Sequence, residues 1–252
     1  MRRGVRRLVR GAKRCGRRVN LYAGSYVRRW GGAGRGREVF LLCSGPSLSH
    51  FRFEDLAGRD FCMLNSAIHV ASGLPTPPTY VYVNDRTMLG DLENHALIES
   101  CPAGRVVVSE RFCDRSTPGE RYTPLDETLV GDATSAAISY LIECGYRRVV
   151  IFGLDFSYKV SAESEGGAVK VEDTTSHFTL NGVSSYGGRA WVVPTLSDKI
   201  RCMERVFRMA QRVGVRVVNA TPGTRCTVFP CEVEAYASWS GGPPVEATRQ
   251  AG

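Results

Sequence analysis

The sequence predicts an α/β protein built on a single Rossmann-like, doubly wound and mostly parallel sheet, with a lid-like insertion. Three observations predict it. The chain has 252 residues, 43% of them apolar, which is enough for one substantial core and does not require two domains. From Glu38 onward, short apolar runs alternate with helix-length segments, the texture of a parallel sheet covered by helices. Several of those runs finish in small or polar residues: Ser44-Gly45-Pro46-Ser47, Asn65-Ser66, Asn84-Asp85, Gly153-Leu154-Asp155 and Asn219-Ala220-Thr221-Pro222-Gly223. In open α/β sheets, ligands bind outside the carboxyl ends of the strands, so these turns are expected to form one polar rim.

Taken in order, residues 1–37 form a basic segment and linker. They hold 13 Lys and Arg and no acidic residue, which leaves 20 basic against 25 acidic residues in the remainder, so the formal charge of +8 belongs to one end. In a helix, residues 2–22 would set Val5, Leu8, Val9, Ala12 and Val19 on a narrow stripe with arginines around the rest. Such a segment can lie on an anionic membrane surface, each basic residue adding about 1 kcal/mol; a solvated tail accounts for the same residues. Nucleic acid is a poorer partner, because no aromatics interleave with the charges as stacking platforms. Trp30 to Arg37, WGGAGRGR, reads as a flexible linker.

Strands are expected at Val39 to Cys43, Phe61 to Asn65, Tyr80 to Asn84, Val106 to Ser109, Arg148 to Phe152 and Val215 to Asn219, each a short apolar run bounded by turn residues. Helices are expected at Ser66 to Ala71, Leu89 to Ser100, Ala133 to Cys144 and Ser197 to Val213. The stretch 157–193 is rich in Gly, Ser and Thr, shows no sustained period and reads as a long loop or lid; insertions of this kind are usually functional or disordered. The transferase domain is therefore expected over 38–239, with a tail at 240–252. No apolar run is long enough for a membrane span and no secretory signal opens the chain. The expectation is a cytoplasmic protein, with peripheral attachment at the membrane face through residues 2–22.

Nine cysteines show neither a CxxC pair nor zinc spacing, and Cys43, Cys62 and Cys144 sit inside apolar runs, as reduced thiols do. The four histidines share no ligand spacing, so no metal site is expected from them.

The first loop satisfies neither GxxxxGK[ST] nor GxGxxG. Read alone, SGPSL is a turn followed by an N-cap at Ser47. Read with its neighbours it becomes part of an anion site, since helix N-termini bare N–H groups and glycine lets phosphate approach them. Thr134 and Ser135 open a helix and offer hydroxyls and N–H groups in the same way. Asp155 follows VVIFG directly, where a carboxylate is costly without a ribose, a metal or a cap to serve.

The ordered set LLCSGPSL, FCMLNSA, ATSAAISYLIECGYRRVVIFGLDFSYK, SHF and VNATPGTRCTVFP resembles the prokaryotic 6-hydroxymethylpterin diphosphokinase MptE-like family, whose members often accompany surface-glycan genes. The likeness covers about residues 38–237. More distantly the chain is similar to bacterial lipooligosaccharide sialyltransferases, which bind a CMP-activated sugar through a GNGPSL loop, an Asn after the second strand, a TSG turn and a GID turn. The resemblance implies nucleotide contacts from Gly45, Pro46 and Ser47, with Ser44 in place of the asparagine, and from Asn65 on the phosphate side. It implies further contacts from Thr134 and Ser135, with Ala136 in place of glycine, and from Gly153, Leu154 and Asp155 at the ribose and base. Tyr158 stands one position away from a phosphate-holding tyrosine.

The sialyltransferase base is the second histidine of an SHxxxH-like segment; SHFTLNG keeps His177 and has Asn181 at the second place. Strict sialyl transfer is therefore not supported, and His177, with an imidazole pKa near 6.5, becomes the expected base for an acceptor hydroxyl, or else a structural residue ordering the lid. Asp155 is the second expected catalytic residue. Asp85, Arg86, Tyr186, Arg189 and Trp191 are expected to meet the acceptor or a phosphate, although a loop salt bridge or lid packing would account for them as well. Lys199, Arg201, Arg205, Arg208 and Arg212 read as a solvated helix face.

The function these expectations favour is a nucleotide-dependent transferase, a glycosyltransferase moving sugar from a CMP-type donor to a surface glycan or glycolipid and requiring no cofactor. The alternatives are ATP-dependent diphosphate transfer to a pterin alcohol, with Mg²⁺ on Asp85 and Asp155, and a non-catalytic nucleotide- or glycan-binding module. Association into an oligomer stays open.

Overall fold

The computed structural model describes residues 37–65, 68–89, 92–156, 159–161, 170–172 and 190–239. The expectations on residues 2–22, the linker, the C-terminal tail and most of the insertion lie outside them.

Seven strands form the main sheet: β1 (Glu38–Leu42), β2 (Phe61–Leu64), β3 (Tyr80–Val83), β4 (Arg105–Ser109), β5 (Glu120–Tyr122), β6 (Arg148–Phe152) and β10 (Arg216–Asn219). Their order is β10-β6-β1-β2-β3-β4-β5, and every neighbouring pair is parallel. The helices are α1 (Ile68–Ala71), α2 (Arg86–Leu89), α3 (Leu92–Ser100), α4 (Ala133–Glu143) and α5 (Val193–Arg212), with 3-10 turns at Pro46–His50, Phe53–Leu56, Glu127–Gly131 and Glu234–Trp239. The expected Rossmann-like α/β class is the observed one.

Side chains alternate across a strand, so a sheet covered on both faces needs apolar residues at every position. Val39 and Leu41 of β1 and Val149 and Ile151 of β6 enter one core with α4 and α5. Phe40, Leu42, Val150 and Phe152 enter the other, with Leu48, Ile68, Met88 and Ile98 from the opposite layer. Each fully buried side chain of this kind contributes about 1.5–3 kcal/mol of transfer free energy. In α4 every residue from Thr134 to Glu143 is buried, because this helix lies between the sheet and α5. At the amino ends of the strands, Arg148 reaches Glu38 at 3.2 Å and Glu232 at 2.9 Å, and the Tyr236 hydroxyl donates to Glu38 at 2.9 Å. These charges close the end of the sheet opposite the polar rim.

The expectation of a long structureless insertion is corrected by a three-stranded antiparallel sheet, β7 (Lys159–Ser161), β8 (Lys170–Glu172) and β9 (Ala190–Val192). Strands of three residues are too short to display a period of two. β5 escapes sequence reading for the same reason. α5 begins at Val193 rather than Ser197, since Pro194 in the first turn has no N–H to lose there.

The chain builds outward from β1 through β2, β3, β4 and β5, then returns to place β6 on the other side of β1. The strand order reverses between β1 and β6, and in a sheet of this kind the crevice at that reversal is where ligands bind.

Candidate functional site

The loops after β1 and β6 meet at the reversal. Cys43 N–H donates to the Phe152 carbonyl and Gly45 N–H to the Gly153 carbonyl, both at 2.8 Å, extending the ladder past the strands. The approach is close: a methyl group on Gly45 would lie 1.9 Å from Asp155 Oδ2, and Gly153, at φ +72°, faces Leu48 and the Cys43 carbonyl. Asp155 Oδ2 then accepts the Ser47 hydroxyl at 2.8 Å and the Ser47 N–H at 3.4 Å. The Asp155 carboxyl pKa is raised by burial, and the two Ser47 hydrogen bonds oppose that rise.

This corrects two expectations. Ser47 is not an N-cap; Gly45 holds that position, and Ser47 lies inside the 3-10 turn Pro46–His50. The Ser47 hydroxyl and N–H are directed to a carboxylate of this chain, and that carboxylate would repel a phosphate placed on them.

The loop after β6 is held from behind by β10. Leu154 N–H donates to Thr221 Oγ1 at 3.0 Å, and Thr224 Oγ1 donates to the Leu154 carbonyl at 2.6 Å while accepting from Asn219 Nδ2 at 3.1 Å. Arg225 N–H donates to the Asp155 carbonyl at 2.9 Å. Asn219 and Thr221 are fully buried, so the polar residues after β10 brace Asp155 rather than line the rim.

α4 repeats the carboxylate pattern. Asp132 Oδ2 accepts from the Ser135 N–H at 2.8 Å and the Ser135 hydroxyl at 2.6 Å, capping the helix. Thr134 and Ser135 are buried, and Cys43 Sγ lies 3.8 Å from Thr134 Oγ1. The expectation that Ser135 offers its donors to an anion is therefore corrected, since Asp132 occupies them. Burial raises the Asp132 pKa, and the positive charge of Lys199 opposes the rise. Asp132 escaped notice in the sequence, although an Asp three residues before Ser135 in GDATS carries a cap signature.

Beside β1, Asn65 sits just past the end of β2 at φ +46°, a left-handed conformation that is uncommon outside glycine. Its Oδ1 accepts the Asn84 N–H at 2.7 Å, which orients the amide. Asn84 is itself buried, donates through Nδ2 to the Val130 carbonyl at 3.0 Å and leaves its Oδ1 without a partner among the described residues. Asp85 Oδ1 accepts from Met88 N–H at 3.3 Å and so caps α2; Arg86 is exposed.

Ser44, Gly45, Pro46, Ser47, Asn65, Gly153, Leu154, Asp155, Thr134 and Ser135 thus gather at the carboxyl edge of β1, β2 and β6 and the start of α4, and Asp85 and Arg86 stand at the end of β3 on the same edge. Tyr158, His177, Tyr186 and Arg189 lie outside the described residues. Trp191 is the central residue of β9, its backbone paired with Val171. Among the described residues no His, Cys, Asp and Glu side chains cluster to hold a metal ion. Asp85 and Asp155 follow strands three positions apart in the sheet, about 14 Å at the usual strand spacing, so they do not fit a shared Mg²⁺. No helix among the described residues is long and apolar enough to cross a membrane.

An open, parallel, doubly covered sheet with a crevice at its strand reversal defines the class to which this molecule belongs. Among solved structures, the MAf glycosyltransferase from Magnetospirillum magneticum AMB-1 is similar in fold, with a TM-score of 0.51 at 15% sequence identity over 84% of this chain. The chain spans 37% of the length of that structure. No family model and no curated protein matches the chain.

Proposed function

We propose that the protein is a nucleotide-dependent glycosyltransferase whose donor occupies the crevice between β1 and β6. The observation that carries this reading is the locked contact of Gly45 and Ser47 with Gly153 and Asp155 at the reversal of strand order. A half-buried carboxylate held there suits the hydroxyls of a ribose or the N–H groups of a base better than a phosphate. The phosphates would then run toward Asn65, whose amide oxygen is anchored by the Asn84 N–H and whose Nδ2 would supply the donors. Fold similarity to a glycosyltransferase and the motif order shared with CMP-sugar enzymes support the same reading.

In the reaction, the acceptor hydroxyl oxygen attacks the anomeric carbon and the bond from that carbon to the donor phosphate oxygen breaks. The nucleotide leaves with the electron pair, and the acceptor proton passes to His177. The insertion would exclude water that would otherwise hydrolyse the donor. Residues 2–22 would hold the enzyme at an anionic membrane surface beside a glycolipid acceptor.

Titration calorimetry with CMP, CDP, UDP and ATP tests this. Binding of CMP or a cytidine diphosphate, weakened in Asp155→Asn, is expected. Failure of all four nucleotides to bind removes the proposal. Binding of ATP alone, and only with Mg²⁺, moves the assignment to diphosphate transfer, and nucleotide binding without turnover on any acceptor moves it to a binding module.

A further inference from the structure

A groove of about 450 Å³ opens on the same sheet edge, between α2 and the loop after β4, lined by Arg86, Leu89, Arg111, Phe112, Cys113 and Asp114. Its size is that of a small-molecule site. Arg86 and Arg111 are both exposed in it, and among the described residues neither makes an ion pair. The Arg111 guanidinium lies over the Phe112 ring, 5.6 Å from its centroid, which steadies a long side chain that would otherwise sweep through solvent.

The walls are fixed in advance. Phe112 and Cys113 N–H groups both donate to the Ser109 carbonyl, at 3.1 and 3.2 Å. Asp114 Oδ1 accepts from the N–H and hydroxyl of Ser116 and of Thr117, at 2.7 to 3.0 Å, so one oxygen of this carboxylate is bound by its own turn and the group stays ionised, leaving two guanidinium charges against one carboxylate among the described lining residues. Those bonds hold its pKa at about 2. Thr117 Oγ1 also reaches the Leu89 carbonyl at 3.5 Å, and His95 Nε2 lies 2.8 Å from the same oxygen, tying the loop to α2. A preformed wall lowers the ordering cost of binding.

We propose that this groove is the acceptor subsite and that it takes an acidic sugar unit, its carboxylate or phosphate held between the Arg86 and Arg111 guanidinium groups. This rests on the glycosyl-transfer reading for the word acceptor; the anion site itself stands on the groove. Guanidinium forks match carboxylate and phosphate geometry in two-point hydrogen bonds. The position suits the order of events: a nucleoside at β1 and β6, phosphates over Asn65 at the end of β2, and the receiving sugar one and two strands further on, at β3 and β4.

Cys113 reports on occupancy, because it is a free, part-exposed thiol in the groove wall. Alkylation by iodoacetamide, followed peptide by peptide by mass spectrometry, would be measured with glucuronate, glucose 6-phosphate or glucose present. Several-fold slowing at Cys113 by an anionic sugar but not by glucose is expected, and which anion protects identifies the group. The Arg86→Gln/Arg111→Gln double variant should lose the protection, with the exposed Cys231 reacting at the wild-type rate and the buried thiols still silent as proof of folding. Equal protection by glucose, no protection by either anion, or protection that survives in the folded double variant overturns the subsite. Calorimetry separates the two claims: anion protection without any nucleotide binding leaves the groove standing and removes the glycosyltransferase reading.

Discussion

Residue 45 has no room for a side chain. A Cβ there would meet Asp155 Oδ2 at 1.9 Å and the Gly153 carbonyl oxygen at 2.3 Å, and the second of these is backbone that cannot turn aside. Gly45→Ala is expected to push the two loops apart, costing about 1–3 kcal/mol in overpacking and most of the nucleotide affinity. Unchanged thermal stability with unchanged CMP binding would show that the contact is dispensable. Asp155 makes a prediction of the opposite sign for stability. Its folded pKa is raised by burial, so the folded chain holds that proton more tightly than an unfolded carboxyl of pKa about 3.9. Stability then falls as pH rises from the ordinary carboxylate range through the folded value, and the cost persists above it. Asp155→Asn should therefore be as stable as the wild type or more so at pH 7, with the difference closing as pH falls toward 4, while nucleotide binding weakens. Melting curves across that range decide it, and a variant less stable at pH 7 than at pH 4, relative to wild type, contradicts the assignment. A residue kept at the expense of stability is what a binding role would explain.

At the scale of the element, α4 shows how a helix end can be closed to ligand. Asp132 supplies the cap that Ser135 needs, inside the protein. Asp132→Ala leaves a buried N–H and a buried hydroxyl with no acceptor, and a loss of about 1–3 kcal/mol is expected, readable as a lowered midpoint in urea. Asp132→Asn keeps an acceptor and should recover most of it. If both variants unfold at the wild-type denaturant concentration, the cap contributes nothing and the N-terminus of α4 returns to the list of open anion sites.

Six of the seven strands of the main sheet were readable one at a time: VFLLC, FCML, YVYV and RVVIF, for example, are mostly apolar because both of their faces are covered. β5 and the three strands of the insertion were not, since three residues carry too little pattern. The polar turns after β1, β2, β3 and β6 were found from the same reasoning, but their chemistry was not. Whether Ser47 faces a phosphate or a carboxylate depends on Asp155, 108 residues away.

For the whole molecule, the cysteines give a test that needs no knowledge of ligand. Among the described thiols Cys43, Cys62, Cys144, Cys202 and Cys226 are buried, and Cys101, Cys113 and Cys231 are wholly or partly accessible. Burial pushes the Cys144 thiol up to about 12 and those of Cys43 and Cys62 well above their ordinary value, so they carry almost no thiolate at neutral pH. Native alkylation is expected to label the accessible three and spare the buried five until denaturant is added. A saturating nucleotide should raise the denaturant needed to reach the five, by about 2.7 kcal/mol of added stability at a concentration 100 times its Kd. Early labelling of Cys43 or Cys62 would mean that the sheet is not covered on both faces.

The sequence by itself determined the layered α/β architecture and the edge on which polar turns collect, because burial of a two-faced strand and the end of that strand are local properties written in consecutive residues. Only the tertiary structure decided what each polar group does there. Asp155 takes the donors of Ser47, Asp132 takes those of Ser135, and Arg86 and Arg111, from different segments of the chain, line one groove. Those partners are set by strand order, which brings together loops far apart in the chain and is itself fixed by packing across the whole sheet rather than by any stretch of it.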